Sequence, residues 1–182
     1  MVIIICAGKN NAIFSDSNPH IIKFYQEINA GKITAGIVRN FLEKEGAVLR
    51  ERGKEFYYEV RERFNDSHNP LDFLFLNRSC FNGMIRFNRK GGFNVPFNHK
   101  PDRFSKSYVT IIVNQVRSVQ ELCTLNQWAF LCLDFEKTFE LVNKDDFIYC
   151  DPPSEGRHTD YFNSWDEEKD QNLFKLLSQT KA

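Results

Sequence analysis

The chain has 182 residues, 42% of them hydrophobic and 26% charged, with 24 basic residues balancing 24 acidic ones. Values this close to globular averages exclude disorder, collagen and coiled coil, and the zero net charge gives no global signal for nucleic acid or membrane. The length suits one ordinary domain or a core carrying a small insertion.

No apolar run approaches the roughly 20 residues needed to span a bilayer, and Val2 to Cys6 is too short for a secretory core. The expected location is therefore cytoplasmic, without membrane contact. Cys6, Cys80, Cys123, Cys132 and Cys150 are widely spaced and set among apolar neighbours, as reduced core thiols are. With no CxxC pair and four scattered histidines, no metal site is expected.

In chain order, Ala12 to Ser15 reads as a short buried strand stopped by Asp16-Ser17-Asn18-Pro19. Ile21, Ile22, Phe24, Tyr25 and Ile28 then mark one face of a helix that Gly31 ends. Two amphipathic helices follow, about Thr34 to Leu49 and about Glu51 to Phe64, whose many charges read as a solvated outer face. Asn65 to Asn69 is a turn, and Asn69-Pro70 supplies a cap and a first-turn proline for a short helix over Leu71 to Leu76.

From Asn77 to Ser107 the chain carries six net positive charges. Within that stretch Met84 to Asn88 and Phe93 to Phe97 flank Arg89-Lys90-Gly91-Gly92, the pattern of a basic β-hairpin. A helix from about Ser107 to Cys123 leads to a strand over Trp128 to Leu133 that stops at Asp134, and a further strand, Phe147 to Cys150, stops at Asp151. Between Asp134 and Asp170 the balance is eight net negative charges. Ser164-Trp165-Asp166-Glu167 has capping-box spacing and opens a last helix. Three strands that each end in aspartate, separated by helices, predict an α/β sheet with a ligand crevice at the strands' carboxyl ends.

Asp151-Pro152-Pro153 is the sharpest local feature. Two prolines remove two backbone donors and fix two φ angles, which leaves a rigid acceptor-only array suited to an amino group. If such an amine donates both hydrogens to the Asp151 carboxylate and the Pro152 carbonyl, its nitrogen lone pair is freed for an electrophile held in line.

The segment from Phe75 through Asn77-Arg78-Ser79-Cys80-Phe81-Asn82-Gly83 and Arg86-Phe87-Asn88-Arg89-Lys90 to Asn94-Val95-Pro96-Phe97 closely resembles the target-recognition region of Dam-like DNA adenine-N6 methyltransferases. Ser15 to Pro19 before it, and Leu133-Asp134-Phe135 and Tyr149 to Pro153 after it, stand in that family's motif order. The resemblance implies an incomplete Rossmann-like α/β sheet dependent on S-adenosylmethionine, with an inserted helical and β-hairpin DNA-recognition region. Its parts would be a partial cofactor-binding core (1–32), a mainly helical recognition region (33–124) with the hairpin at 84–98, and a catalytic segment (125–182).

By the same resemblance Asp16 binds the cofactor ribose, Asp134 accepts from its adenine amine with Phe135 beside the purine, and Asp151 with Pro152 and Pro153 grips the N6 of a flipped adenine next to the methyl donor. Ser154 stands where the family carries a stacking aromatic, and the family's glycine-rich FxGxG loop has at most a vestige in Cys6-Ala7-Gly8. Arg78 and Arg86 are implied phosphate or guanine contacts, Phe81 a base-stack wedge, Met84 and Pro96 groove contacts, and Arg89 and Lys90 phosphate contacts, with Asn82 and Asn94 in the same set. Double-stranded DNA is the implied partner of a monomer, with a cognate restriction endonuclease at system level. Missing segments at both ends suggest a fragment. The alternatives are a non-catalytic DNA-binding remnant and a methyltransferase acting on cytosine N4.

Overall fold

The structure is a computed structural model, and it describes residues 2–6, 10–152 and 165–180. The chain is a mixed α/β protein that divides into two compact units, one built from residues 1–26 and 122–182 and the other from 27–121. No described helix is long and apolar enough to cross a membrane.

The first unit holds an open four-stranded sheet in the order β3-β2-β1-β4, with β1 at Val2–Cys6, β2 at Asn11–Asp16, β3 at Gln127–Cys132 and β4 at Phe147–Asp151. β2 and β3 are parallel, whereas β1 runs antiparallel to both β2 and β4. Strands β2, β3 and β4 therefore share one direction, and the central strand opposes them. Composition alone had not marked Val2 to Cys6 as a separate strand. Its Ile-rich run is buried on the sheet because Ile3 and Ile5 face a cluster with Phe135, Phe139 and Leu173.

That cluster belongs to a helix the sequence reading did not anticipate, α6 at Phe135–Phe139, together with the last helix, α7 at Glu167–Gln179. α6 has little more than one turn, too few residues to display a helical period. Asp134 caps it by accepting from the Lys137 amide at 2.9 Å. α7 is capped by Asp166, which accepts from the Lys169 amide at 3.0 Å; Ser164 lies outside the described residues. The opposite face of the sheet carries aromatics, with the Phe14 and Phe130 rings stacked at 5.1 Å. Tyr25 of α1 (Pro19–Asn29) stacks on Phe130 at 5.4 Å, and the Gln26 amide donates to the Phe130 carbonyl.

In the second unit α2 (Ala35–Arg52), α3 (Lys54–Ser67) and α4 (Pro70–Ser79) precede an irregular loop and α5 (Lys106–Leu125). Gly53, at a φ of 57° that side-chain-bearing residues avoid, separates α2 from α3. The predicted turn after Phe64 is helix as far as Ser67, and His68 ends it in the left-handed conformation. As expected, Asn69 caps α4 by accepting from the Leu71 amide at 2.8 Å, with Pro70 in its first turn. Gly46 is required on α2 because a Cβ there would come within 2.4 Å of Phe104. The Ala35 amide donates to the Gln120 side-chain oxygen at 2.9 Å, tying the start of this unit to its end.

The charges of α2 and α3 are not only a solvated face. Glu45 and Asp72 are buried, and both accept from Arg63, at 2.8 Å for Glu45 and 2.9 Å from Nε for Asp72. A helical wheel could not distinguish this Glu45 from its exposed neighbours, because the burying partner comes from a different helix.

Candidate functional site

Because β2, β3 and β4 share a direction, their carboxyl ends bring Asp16, Asp134 and Asp151 to one end of the sheet. Asp151 pairs with Val2, and the register of β1 on β2 brings Asp16 to the other side of the same residue. Two strand spacings separate their backbones, about 10 Å. Asp134 and Asp151 are exposed, as is Pro152; Pro153 and Ser154 lie outside the described residues.

Asp16 is buried, and its carboxylate accepts from the Asn18 amide at 2.6 Å. Asn18 in turn accepts from the amides of His20 and Ile21, which opens α1. The Asn18 side chain is fully buried and its Nδ2 has no partner among the described residues, so a donor stands ready close to an acceptor. Burial raises the Asp16 carboxyl above the ordinary aspartate value, and the Asn18 amide opposes that only in part. Relative to the unfolded chain the fold disfavours the ionised form, so ionisation of Asp16 costs stability at any pH above the raised value. That cost disappears below the unfolded pKa. Asp16→Asn is accordingly expected to raise the melting temperature at about pH 7 and to leave it unchanged near about pH 3, as calorimetry would show.

A buried acceptor, an orphaned buried donor and an exposed carboxylate at neighbouring strand ends fit the nucleoside half of an adenosyl cofactor. For the methionine half no cradle is found among the described residues. At this end of the sheet β1 contributes its first residues, and its carboxyl end lies at the opposite end. Phe135 is 9% exposed and packs against Trp165 at 5.4 Å, within the α6–α7 core.

The second unit carries the basic segment. It is not the regular two-stranded hairpin its spacing suggests. Isolated bridges join Cys80 to Phe97 and Phe87 to Phe93, and no strand is formed. The Phe87–Phe93 bridge rests on the bonds flanking it, Asn88 amide to Gly92 carbonyl and Asn94 amide to Arg86 carbonyl, so the Phe93 amide faces outward and donates to the Asn65 side chain at 2.8 Å, while Pro96 has no amide with which to extend the pairing. The reversal itself is present. Asn88 accepts from the Lys90 and Gly92 amides, its own amide donates to the Gly92 carbonyl, and Gly91 takes a φ of 80°.

Side chains alternate through this loop. Phe87, Phe93, Val95 and Phe97 point into an aromatic core with Phe64 and Tyr57, whose hydroxyl donates to the Val95 carbonyl at 2.8 Å. Arg86, Arg89, Lys90 and Pro96 are exposed, as are Asn82 and Met84. Phe81 is 49% exposed on a 3-10 turn in which Asn82 has a φ of 52°. With about half of its surface in water, that ring contributes less to the unit's stability than a core phenylalanine does. Arg86 is held by Asn94, donating to its side-chain oxygen at 2.8 Å and to its carbonyl at 3.3 Å. Arg78 is the exception among the cationic candidates, being partly buried with its guanidinium 4.3 Å over the Tyr108 ring.

The Asp16-Ser17-Asn18-Pro19 cluster carries an Asn-Pro cap signal, and Asn18 indeed opens α1, whereas sequence reasoning did not single out Tyr57, Asn65 or Asn88 as supports. Of these three only Asn88 carried a local signal, an Asn three residues before Gly91. Tyr57 and Asn65 act on residues far along the chain.

Residues 2–182 match the family model described as D12 class N6 adenine-specific DNA methyltransferase. The chain is 41% identical over 104 residues to a DNA adenine methylase of Haemophilus influenzae, an alignment covering 54% of this chain and 33% of that protein. It is 32% identical over 146 residues to a DNA adenine methylase of Vibrio cholerae, covering 78% of this chain and 48% of that one. With the type II methyltransferase M.CviBI of Paramecium bursaria Chlorella virus NC1A the figures are 28% over 175 residues, 94% and 62%. The matched region is thus between a third and two thirds of each relative's length. Since the family model matches essentially the whole chain on which these strand-end acids and this basic loop lie, the chain belongs to the D12 class of N6 adenine-specific DNA methyltransferases.

Proposed function

We propose that the chain acts in site-specific methylation of adenine N6 in duplex DNA, with S-adenosylmethionine as donor. The observation that carries this reading is the delivery of Asp16, Asp134 and Asp151 to one end of the sheet by three strands of common direction. The fold is then a Rossmann-like sheet, with residues 33–124 as the inserted recognition region.

Asp16 would hold the ribose hydroxyls, and Asp134 the adenine amine with the carboxylate capacity left over from its helix cap. Phe135, next to Asp134 in the chain, would stand beside the purine from the edge of the α6–α7 core. When bound, the cofactor supplies an electrophilic methyl on sulfonium. Asp151 and the Pro152 carbonyl accept the two hydrogens of the target amine, so its lone pair is directed outward, and the positive charge that develops on nitrogen is stabilised by the Asp151 carboxylate. Pro153 and Ser154 complete the motif, serine giving a hydrogen-bonding group in place of a stacking ring. Arg86, Arg89, Lys90 and Asn94 face the duplex from the loop, Met84 and Pro96 touch base edges in the groove, and Phe81, with Asn82 beside it, enters the stack. Names such as type II methyltransferase among the relatives support a paired restriction endonuclease at system level.

A second reading, DNA binding without transfer, is favoured by the opposed direction of β1, which leaves the methionine half without a cradle among the described residues. Incubation of duplex DNA with the chain and methyl-labelled S-adenosylmethionine, followed by digestion to nucleosides, separates the readings. Label in N6-methyladenine is the expected result, and label in N4-methylcytosine would replace the target base. Salt-sensitive duplex binding with no label at high enzyme and cofactor would establish the second reading.

A further inference from the structure

We infer that Arg103 joins Arg78 in a two-guanidinium clamp for a backbone phosphodiester of the duplex, a role that rests on the DNA-binding reading above. The clamp lies apart from the Arg86–Asn94 pair, at the junction of α4, the 3-10 turn Pro101–Phe104 and the first turn of α5. Arg78 Nε donates to the Arg103 carbonyl at 3.3 Å, which fixes the Arg78 side chain against the segment that carries Arg103. Its guanidinium carbon lies over the Tyr108 ring, 4.3 Å from the centroid.

Two nitrogens in this arrangement are shielded from solvent and have no acceptor among the described residues, Arg78 NH2 and Arg103 Nε. Buried guanidinium donors left without acceptors cost stability. The two cations also repel: burial first, and then Arg103, lowers the Arg78 pKa. Asp102, the acid adjacent in sequence, does not relieve them, because its carboxylate accepts from Arg50 Nε at 3.0 Å on α2. The unit therefore keeps two mutually repelling cations on segments joined by that bond, each with an unused donor, and commits the neighbouring carboxylate elsewhere.

A tetrahedral oxyanion removes both penalties at once. Its oxygens accept from the two guanidiniums, and its charge offsets their repulsion. Because the unused donors are shielded in the resting arrangement, the side chains turn outward when the phosphate arrives, and Tyr108 offers Arg78 a flat surface on which to slide. A phosphodiester is the suitable ligand, since the clamp follows directly on the α4 end that leads into exposed Phe81. Phosphate contacts of this kind set position and carry no sequence information.

Fluorescence anisotropy of the whole chain with duplex DNA across a salt series, together with thermal unfolding, tests the role of Arg103. Arg103→Met keeps the apolar stem and removes the charge. It should flatten the slope of log affinity against log salt by about 0.9 and weaken binding roughly tenfold at the lowest salt, equally for target and scrambled duplexes, with an unchanged or higher melting temperature. Arg103→Lys should restore the slope and only part of the affinity, because an ammonium lacks the planar fork. Unchanged slope and affinity in Arg103→Met overturn the clamp, whatever its melting temperature; so does binding lost together with melting temperature and not regained by lysine. If the unsubstituted chain binds no duplex, the DNA-binding reading fails as well, whereas normal binding with an inert Arg103 removes the clamp alone.

Discussion

Methyl transfer by an active family enzyme carrying the Asp151→Ala change is expected to fall by at least about 10²–10³-fold at saturating cofactor, measured as label incorporated into duplex DNA. Asp151 is exposed at the end of β4, where its backbone pairs with Val2 and its side chain is free of the sheet's core. Alanine keeps that backbone and removes only the acceptor, so the melting temperature should not move. Asp151→Asn is a sharper probe. It matches the aspartate in shape but turns one acceptor into a donor, which opposes an incoming amine, and it should be nearly as inactive. Transfer at the unsubstituted rate in either variant would show that the strand-end acceptor plays no part in the chemistry.

The largest expected loss of stability comes from Arg63→Ala. Arg63 joins Glu45 of α2 to Asp72 of α4, and the two carboxylates are 8% and 3% accessible, whereas the arginine side chain is 46% accessible. Removing one partner of a fully buried pair costs roughly 3–5 kcal/mol; water reaching Arg63 reduces this to about 2–3 kcal/mol, or roughly 5–10 °C in melting temperature. Two buried carboxylates would then face each other uncompensated. Adding Asp72→Asn to Arg63→Ala should recover much of the loss. No recovery would mean that the arginine stem, and not its charge, holds the three helices together.

Legibility in the sequence depended on how local each cause was. Asn69-Pro70 announced α4 because a cap and a first-turn proline act within one turn. The strands before Asp16, Asp134 and Asp151 were readable because each is a short apolar run with an abrupt polar stop. The direction of β1 was not readable, since Val2 to Cys6 is symmetrically apolar and its pairing is decided by both neighbours together. The basic loop was drawn too regular, because Pro96 cannot donate and the groups that hold its outward-facing amide and carbonyl, Asn65 and Tyr57, sit on α3. Burial of Glu45 and Asp72 was invisible for the same reason: a charge pattern on one helix does not reveal a guanidinium supplied by another.

The bond between the Ala35 amide and Gln120 bears on the order in which the chain can assemble. β2 must find β3 far along the polypeptide, Asn11 meeting Gln127, and closing so long a loop costs about 4 kcal/mol of chain entropy. If residues 27–121 fold first, that clasp brings their two ends together, and the remaining search is over a few tens of residues. Ribosomal synthesis makes those residues before β3, so the sheet waits for its insertion, and slow refolding of the whole chain would trace to late docking of β3.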